Sequence, residues 1–237
     1  MKNIVIILFT IFATAGNFIQ AQSLDAIISR HIQAVGQDKV QAVKSYSIEA
    51  EINQMGNEIP MTMKMKSPDK FRMELEVQGQ KMIQAFDGKH GWMIAPWISQ
   101  EPQELTGQQL DQAKDQANIN DPFYNYKERG YKAELVGKDT LDGKDVFNIR
   151  LVDSNGEAQS YYLDPETYYI RSEKRMVNSN GTNVEVEMKL SDYKVFNGIA
   201  MATSIESNTS MGSMTVKIKK VEFDTPLDDS IFEQPKE

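Results

Sequence analysis

Two neighbouring segments of this chain alternate strictly between apolar and polar residues. Residues 61–66 read MTMKMK, and residues 71–77 read FRMELEV. Successive side chains of a β-strand point to opposite faces, so this period of two predicts strands with one apolar face and one face toward water. Turn pairs such as Asp-Gly and Asn-Gly separate about eleven segments of this kind along the chain. The chain is therefore predicted to be mainly β.

The order of these segments predicts a single antiparallel sheet, since consecutive strands joined by short turns pair with their neighbours. A sheet of about eleven strands curls rather than staying flat. One helix is expected to begin after Ser23 and end at Gly36, followed by a shorter one. A helical insertion is expected over Leu105–Ala117 and Phe123–Tyr126. These helices are too few to cover the apolar face, so we predict an α+β half-open barrel with a helical lid; a closed, lipocalin-like barrel is the alternative.

The N-terminus has the composition of a secretory signal. A basic start at Lys2 precedes an almost unbroken apolar run over 4–13, and Ala21 provides a small residue for cleavage. This run is too short to cross a bilayer comfortably. Residues 1–21 are predicted to be a signal peptide and residues 22–237 a single half-barrel domain, with an uncleaved anchor or a buried helix as the alternative.

Composition argues against several classes of function. The formal net charge of -8 disfavours a nucleic-acid partner. The chain has no cysteine and only two histidines, His31 and His90, so neither a metal site nor a thiol nucleophile is predicted. It also lacks a phosphate-binding glycine loop and a nucleophile elbow. We predict no catalytic residue, no cofactor and no enzymatic activity; a glycosidase built from two distant carboxylates is the alternative left open.

Methionine is prominent on the predicted apolar face. The chain contains 13 methionines, and their flexible, polarisable side chains suit surfaces that adapt to several apolar partners. At any one of these positions, plain core packing is the alternative. The predicted wall of a hydrophobic ligand cavity consists of Ile48, Met61, Met63, Met65, Phe71, Met73, Leu75, Trp92, Trp97, Val186 and Met188.

Residues 60–100 also carry a series of motifs. A proline turn leads into an aromatic-led strand over 66–73, an Asp-Gly-Lys turn occupies 87–89, and a Trp-x-x-x-Pro-aromatic segment runs from Trp92 to Gln100. In order and spacing, this series resembles the LolA-type carriers of outer-membrane lipoproteins. The leading helix and the strand-rich second half agree with that family in pattern.

This resemblance implies a half-open barrel of about eleven strands with a helical lid. The carriers hold an arginine immediately before the proline, where it latches the lid. Here that position is Ser67, so the nearest cation, Lys66, is the candidate latch, although lysine cannot reproduce the forked hydrogen bonding of arginine. The expected lid residues are Leu105, Leu110, Phe123 and Tyr126.

The resemblance also implies a function and a location. The protein is expected to be a soluble periplasmic carrier that shields the acyl chains of lipoproteins or lipids. Its expected partners are an inner-membrane release complex and an outer-membrane acceptor, and it is expected to act as a monomer. The alternative is an interaction domain or an envelope-stress sensor of the same fold, because one fold can serve several functions.

Overall fold

The computed structural model describes residues 22–179, 182–209 and 212–235. The predicted signal peptide lies outside these residues. Within them the chain forms three α-helices and one short 3-10 helix. Their bounds are α1 (Leu24–Val35), α2 (Gln37–Val40), α3 (Gly107–Ala117) and, for the 3-10 helix, Asp229–Ile231.

The strands in the same ranges form one large sheet and one small hairpin. Thirteen strands pair in the antiparallel order β6-β5-β4-β3-β2-β1-β15-β14-β11-β10-β9-β8-β7, and β12 pairs with β13. The strands are β1 (Ser45–Gln54), β2 (Asn57–Lys66), β3 (Lys70–Val77), β4 (Gln80–Phe86), β5 (Gly91–Ala95), β6 (Ser99–Leu105), β7 (Lys132–Leu141), β8 (Lys144–Val152), β9 (Ala158–Leu163), β10 (Ile170–Ser179), β11 (Thr182–Ser191), β12 (Lys194–Phe196), β13 (Ile199–Met201), β14 (Ser204–Thr209) and β15 (Gly212–Phe223).

The mainly β, single-sheet prediction is confirmed, and so is the open form. Among the described residues, β6 and β7 lie at the two ends of the strand order and do not pair, so the sheet is not a closed barrel. The predicted number of about eleven strands is wrong, because β5 and β6 also join the sheet. β6 contains Pro102, and an edge strand tolerates a proline because one side of it donates no ladder hydrogen bond.

The two halves of the sheet meet where β1 pairs with β15. Ile48 lies opposite Val221 and Ile52 opposite Val216. Between these two pairs, the register shifts at a bulge after Glu49. A bulge bends its strand and increases the local twist, which favours a curved sheet at this seam.

One face of the sheet, here called the inner face, carries the apolar residues of the alternating strands. Tyr46, Met65, Phe71 and Phe86 are aligned across β1 to β4. α3 packs on this part of the inner face, where Ala113 and Ala117 are buried together with Met65, Phe71 and Phe86.

α1 covers another part of the inner face. Ile27 and Ile28 of α1 are buried with residues of β8 and β9. The predicted ends of this helix are confirmed: Ser23 Oγ accepts a hydrogen bond from the Ala26 N–H at 3.3 Å, and Gly36 has the left-handed φ of 73°. A Cβ at Gly36 would lie 2.1 Å from the Gly198 carbonyl oxygen, so only glycine allows the β12–β13 hairpin to approach this closely.

The segment after α3 differs from the prediction. Residues 122–130 form turns rather than the helix expected over Phe123–Tyr126. Asp121 Oδ1 accepts a hydrogen bond from the Phe123 N–H at 2.9 Å, a local bond that favours a turn over a helix. Within the described ranges, no helix is long and apolar enough to cross a membrane.

Candidate functional site

A cavity of about 240 Å³ lies on the inner face. It is bounded by α1 and α2, by the β12–β13 hairpin, by residues 119–122 and by strands on both sides of the β1–β15 seam. Most of its wall is apolar. The apolar lining includes Val35, Val40, Tyr46, Leu190, Met201 and Phe223.

Polar side chains form a second part of the cavity wall. His31, Asp121 and Glu173 contribute an imidazole and two carboxyl groups, and Gln37 and Asn120 contribute amides. A mostly apolar cavity with a few convergent polar groups is the usual character of a site for small molecules.

His31 carries a positive charge in this arrangement. Its Nδ1 lies 2.7 Å from the Tyr168 carbonyl oxygen and its Nε2 lies 2.7 Å from Asp121 Oδ2. Both partners are acceptors, so both ring nitrogens donate, which requires the imidazolium form. Burial lowers the pKa of His31, but the charge and hydrogen bond of Asp121 outweigh it, and the pKa is raised above its ordinary value.

Residues 119–123 are held against α1 and α2 by this ion pair and by neighbouring amides. Gln37 Nε2 donates to Asn120 Oδ1 at 2.8 Å, and the Asp121 N–H donates to Gln37 Oε1 at 3.1 Å. His31 and Gln37 are both buried. The segment after α3 is therefore fixed at one end of the cavity.

Glu173 lies in the same cavity wall and is half-buried. Its Oε2 accepts a hydrogen bond from Gln159 Nε2 at 2.8 Å. Burial, with the negative charge of Asp121, raises the pKa of Glu173 to about 7, against the opposing charge of Arg175. Near neutral pH, this carboxyl group can therefore either donate or accept a hydrogen bond.

The predicted wall residues of β1 to β3 all lie on the inner face, but beside the cavity rather than around it. Met65 and Phe71 are buried under α3. Ile48 and Met61 pack near the β1–β15 seam. Met63, Met73 and Leu75 are half-buried between these two groups.

The predicted wall residues of β11 also lie on the inner face. Met188 is directly opposite Glu173, and Val186 is opposite Arg175. Neither is among the residues that line the cavity. They extend the inner face from the cavity along β11.

The two tryptophans do not lie in the wall of a cavity on the inner face, where they were predicted to lie. Trp92 pairs across the sheet with Ala85, whose other partner is Arg72, so all three point to the outer face. There Trp92 is buried and its Nε1–H donates to the Phe232 carbonyl at 2.8 Å. Trp97 lies in the turn between β5 and β6 and is 53% exposed.

The predicted lid residues separate into two groups. Leu105, at the end of β6, and Leu110, in α3, pack with the core under α3. Phe123 and Tyr126 are instead buried against α1 and the strands of the other half-sheet. Only the first group packs with α3.

Lys66, the candidate latch, contacts the end of the chain rather than a helix of the inner face. Its Nζ donates to the Leu227 carbonyl at 2.9 Å and to Asp229 Oδ1 at 2.5 Å. Residues 226–235, here called the C-terminal strap, cross the outer face at this point. Lys66 therefore binds the C-terminal strap to the outer face of the sheet.

Sequence reasoning missed the polar part of the cavity wall. His31 lies three and four residues after the buried Ile28 and Ile27, and this position on the apolar stripe of a helix was the available signal. Glu173 gave no signal, because the strand register is irregular between Ile170 and Ser172. Among the described residues, no group of three or more His, Asp or Glu side chains could hold a metal ion.

Comparison with known protein families finds a match over most of this chain. A family model described as "Uncharacterized protein" matches residues 70–236, more than half of the sequence. The chain belongs to that family. A comparison with curated proteins finds no match.

Solved structures with the same fold come from several bacteria. The chain is 16% identical to a DUF1329 family protein from Desulfovibrio piger, covering 87% of this chain and 97% of that one with a TM-score of 0.58. The chain is 13% identical to a LolA superfamily protein from Nitrosomonas europaea, and the match covers 90% of this chain and 98% of that one with a TM-score of 0.59. It is 14% identical to a putative outer membrane lipoprotein-sorting protein domain from Vibrio parahaemolyticus, and the match covers 83% of this chain and 95% of that one with a TM-score of 0.56. The resemblance inferred from residues 60–100 is thereby confirmed at the level of the fold.

Proposed function

We propose that this protein binds the acyl chains of lipids or lipoproteins on its inner face and carries them, shielded from water, through the periplasm. The observation that carries this function is the cavity of about 240 Å³ in an apolar face of a sheet that does not close. Half-buried methionines extend the apolar surface beside it. The fold shared with a putative lipoprotein-sorting protein domain supports the same function.

The hydrophobic effect supplies the affinity for such a ligand. Each buried methylene contributes about 0.8 kcal/mol. The cavity of about 240 Å³ lies just below the range of about 300–1,000 Å³ that is usual for sites of drug-sized ligands. It therefore accepts part of an acyl chain as it stands, and a longer chain requires part of the cover to move.

α3 covers the inner face beside the cavity, and it is the element that we propose to move, as the helical lid of this mechanism. It contacts the buried core chiefly through two alanines, Ala113 and Ala117. In the described structure, its N-cap Thr106 makes no side-chain capping bond, and the absence of that bond lowers helix stability. Displacing α3 would join the cavity to the surface formed by Met63, Met65 and Met73.

Loading and release depend on partners in this mechanism, because the hydrophobic effect is non-directional and supplies no release step. We propose an inner-membrane release complex as the donor and an outer-membrane acceptor as the recipient. The protein acts as a monomer in this mechanism, without a cofactor and without a catalytic step.

Two charged substitutions on the inner face test acyl binding. In the double variant Met63→Glu with Met73→Glu, each new carboxylate would be desolvated by a bound chain, so we expect affinity for a fluorescent long-chain alcohol to fall at least about tenfold. The matched control is Met55→Glu with Met176→Glu, at positions that are 81% and 58% exposed. We expect the control to bind the probe as the parent protein does.

Circular dichroism establishes that each variant is folded, and native mass spectrometry of the parent protein detects lipid that purifies with it. Unchanged probe binding by a folded inner-face variant would contradict the proposed site. A folded parent protein that binds no acyl probe would overturn the carrier function and favour an interaction or sensor domain instead.

A further inference from the structure

We propose that the cavity selects an amphiphile whose head group donates hydrogen bonds, with a primary ammonium as the strongest case, and disfavours one with a carboxylate head. This inference rests on the proposed function, since it specifies the polar end of the acyl ligand. The fold alone gives no reason to expect any preference for a head group.

Glu173 provides the acceptor. It lies in the cavity wall opposite Met188 on the inner face, and Gln159 occupies only its Oε2. Within the parts of the chain that the structure describes, no hydrogen bond reaches its Oε1. A carboxylate oxygen beside an apolar cavity favours a guest that brings a donor.

The other charged and titratable groups near Glu173 do not cancel its charge within the cavity. The charge of Asp121 is matched by the His31 imidazolium, 2.7 Å away. Arg175, two residues along the same strand, opposes the charge of Glu173 but is exposed and is not among the residues that line the cavity. Two tyrosines also face Glu173: Tyr161 is buried on β9, and the Tyr193 hydroxyl already donates to the Ile170 carbonyl at 2.8 Å. An ionised Glu173 therefore leaves the cavity with one net negative charge.

The negative charge of Glu173 favours cationic head groups over anionic ones. A guest ammonium would form a charge-assisted hydrogen bond with Glu173, which is the stronger class of hydrogen bond in a dry site. A guest carboxylate would place a second negative charge beside Glu173, and like charges in a shared site disfavour each other. An alcohol can donate a hydrogen bond without a charge and belongs between the two.

Three ligands with the same alkyl chain test this preference. Dodecylamine, dodecanol and dodecanoate are each used to displace a fluorescent long-chain alcohol from the full-length protein at about pH 8, where an alkyl ammonium and an alkyl carboxylate are both charged. We expect dodecylamine to displace the probe at a concentration at least about tenfold lower than dodecanoate does, with dodecanol intermediate.

Two variants test whether Glu173 causes the preference for the amine over the carboxylate. Glu173→Gln keeps an acceptor but removes the charge, so the preference for the amine over the carboxylate should fall to less than about threefold. Glu134→Gln, at an exposed position of β7, is the matched control and should keep the full preference. If Glu173→Gln does not fold, the parent protein supplies the same test, because its preference should fall by a similar factor at about pH 5.5.

Equal displacement by the three ligands would overturn this inference, and so would an amine preference that survives both in Glu173→Gln and at the lower pH. In either case, acyl binding itself would stand. If the fluorescent alcohol does not bind to the parent protein at all, the proposed function fails, and the head-group preference fails with it.

Discussion

At the residue scale, His31 and Glu173 are two proton-binding groups in one cavity. His31 is buried and donates from both ring nitrogens. Glu173 is half-buried and has one hydrogen-bond partner, Gln159, in the described structure. Each holds a proton more tightly in the folded protein than in an unfolded chain, because the pKa of each is raised above its ordinary value.

These two shifts predict that the protein is more stable in mild acid than in mild base. Where the folded state binds more protons than the unfolded state, the free energy of unfolding falls as pH rises. For Glu173, this fall occurs between its ordinary pKa of 4.5 and its folded pKa of about 7. For His31, it begins near 6.5 and continues through the raised folded pKa.

Urea unfolding between about pH 5 and pH 8 measures this effect. The Glu173 shift corresponds to about 3 kcal/mol of unfolding free energy, and Glu173→Gln should remove that part of the slope. Carboxyl groups with a lowered pKa, such as Asp87 and Asp164, act below this window. A stability that is flat or rises over the window would contradict the raised pKa of Glu173.

At the element scale, α1 and α3 differ in how firmly they are attached. α1 has a side-chain bond at its N-terminus and a left-handed glycine at its C-terminus. It also buries Ile27 and Ile28, whereas α3 buries alanines. Larger buried side chains contribute more to stability, so α3 is the helix whose displacement costs less.

The C-terminal strap covers the opposite side of the sheet, the outer face. Phe232 is fully buried there, and the Arg72 Nη1 donates to the Ile231 carbonyl at 2.6 Å. Trp92 and Lys66 donate to two further carbonyls of the strap. The strap is thus held by apolar burial and by backbone acceptors.

These contacts predict unequal effects of two substitutions in the strap contact. Phe232→Ala should lower the free energy of unfolding by about 3–5 kcal/mol, because it leaves a cavity where the fully buried ring lay. Lys66→Ala should cost less than about 1 kcal/mol, since the Lys66–Asp229 ion pair is partly exposed.

Urea unfolding measures the stability of both variants, and probe binding measures their affinity for the acyl ligand. Lys66→Ala should bind the acyl probe as the parent protein does, because Lys66 contacts the strap and not α3. A large change in probe affinity without a loss of stability would show instead that Lys66 acts on the lid.

At the scale of the whole molecule, local pattern predicted the strands but not all of the sheet. Alternation in residues 61–66 and 71–77 predicted β2 and β3 and assigned their faces correctly. β6 has the sequence SQEPQEL, which does not alternate and contains a proline. Its pairing with β5 holds it at the edge, and such pairing cannot be read from the segment alone.

The candidate site was less predictable than the fold, because five separate parts of the chain assemble it. Tyr46 and Phe223 meet across the β1–β15 seam at a ring distance of 6.0 Å, although they are far apart in sequence. The contact of Gly36 with Gly198 brings the β12–β13 hairpin to the same place. Neither contact has a periodic signal in the sequence.

Because β15 pairs with both β1 and β14, we expect the cooperative unfolding of the two halves of the sheet to depend on β15. A chain that ends at Thr209 lacks β15, so β1 and β14 lose their shared partner and cooperative unfolding should disappear. A chain that ends at Thr225 lacks only the strap and should still unfold in a single transition at a lower urea concentration. Cooperative unfolding of the shorter chain would show that the half-sheets are independent.

The position of β15 also bears on the order in which the molecule can assemble. β15 follows every other strand of the large sheet along the chain, yet it lies next to β1 in the middle of the strand order. While the chain emerges N-terminus first, β1 therefore keeps one row of backbone groups unpaired until β15 has emerged as well. Contacts between such distant segments form slowly, and a chain that stays incompletely paired for so long is exposed to aggregation.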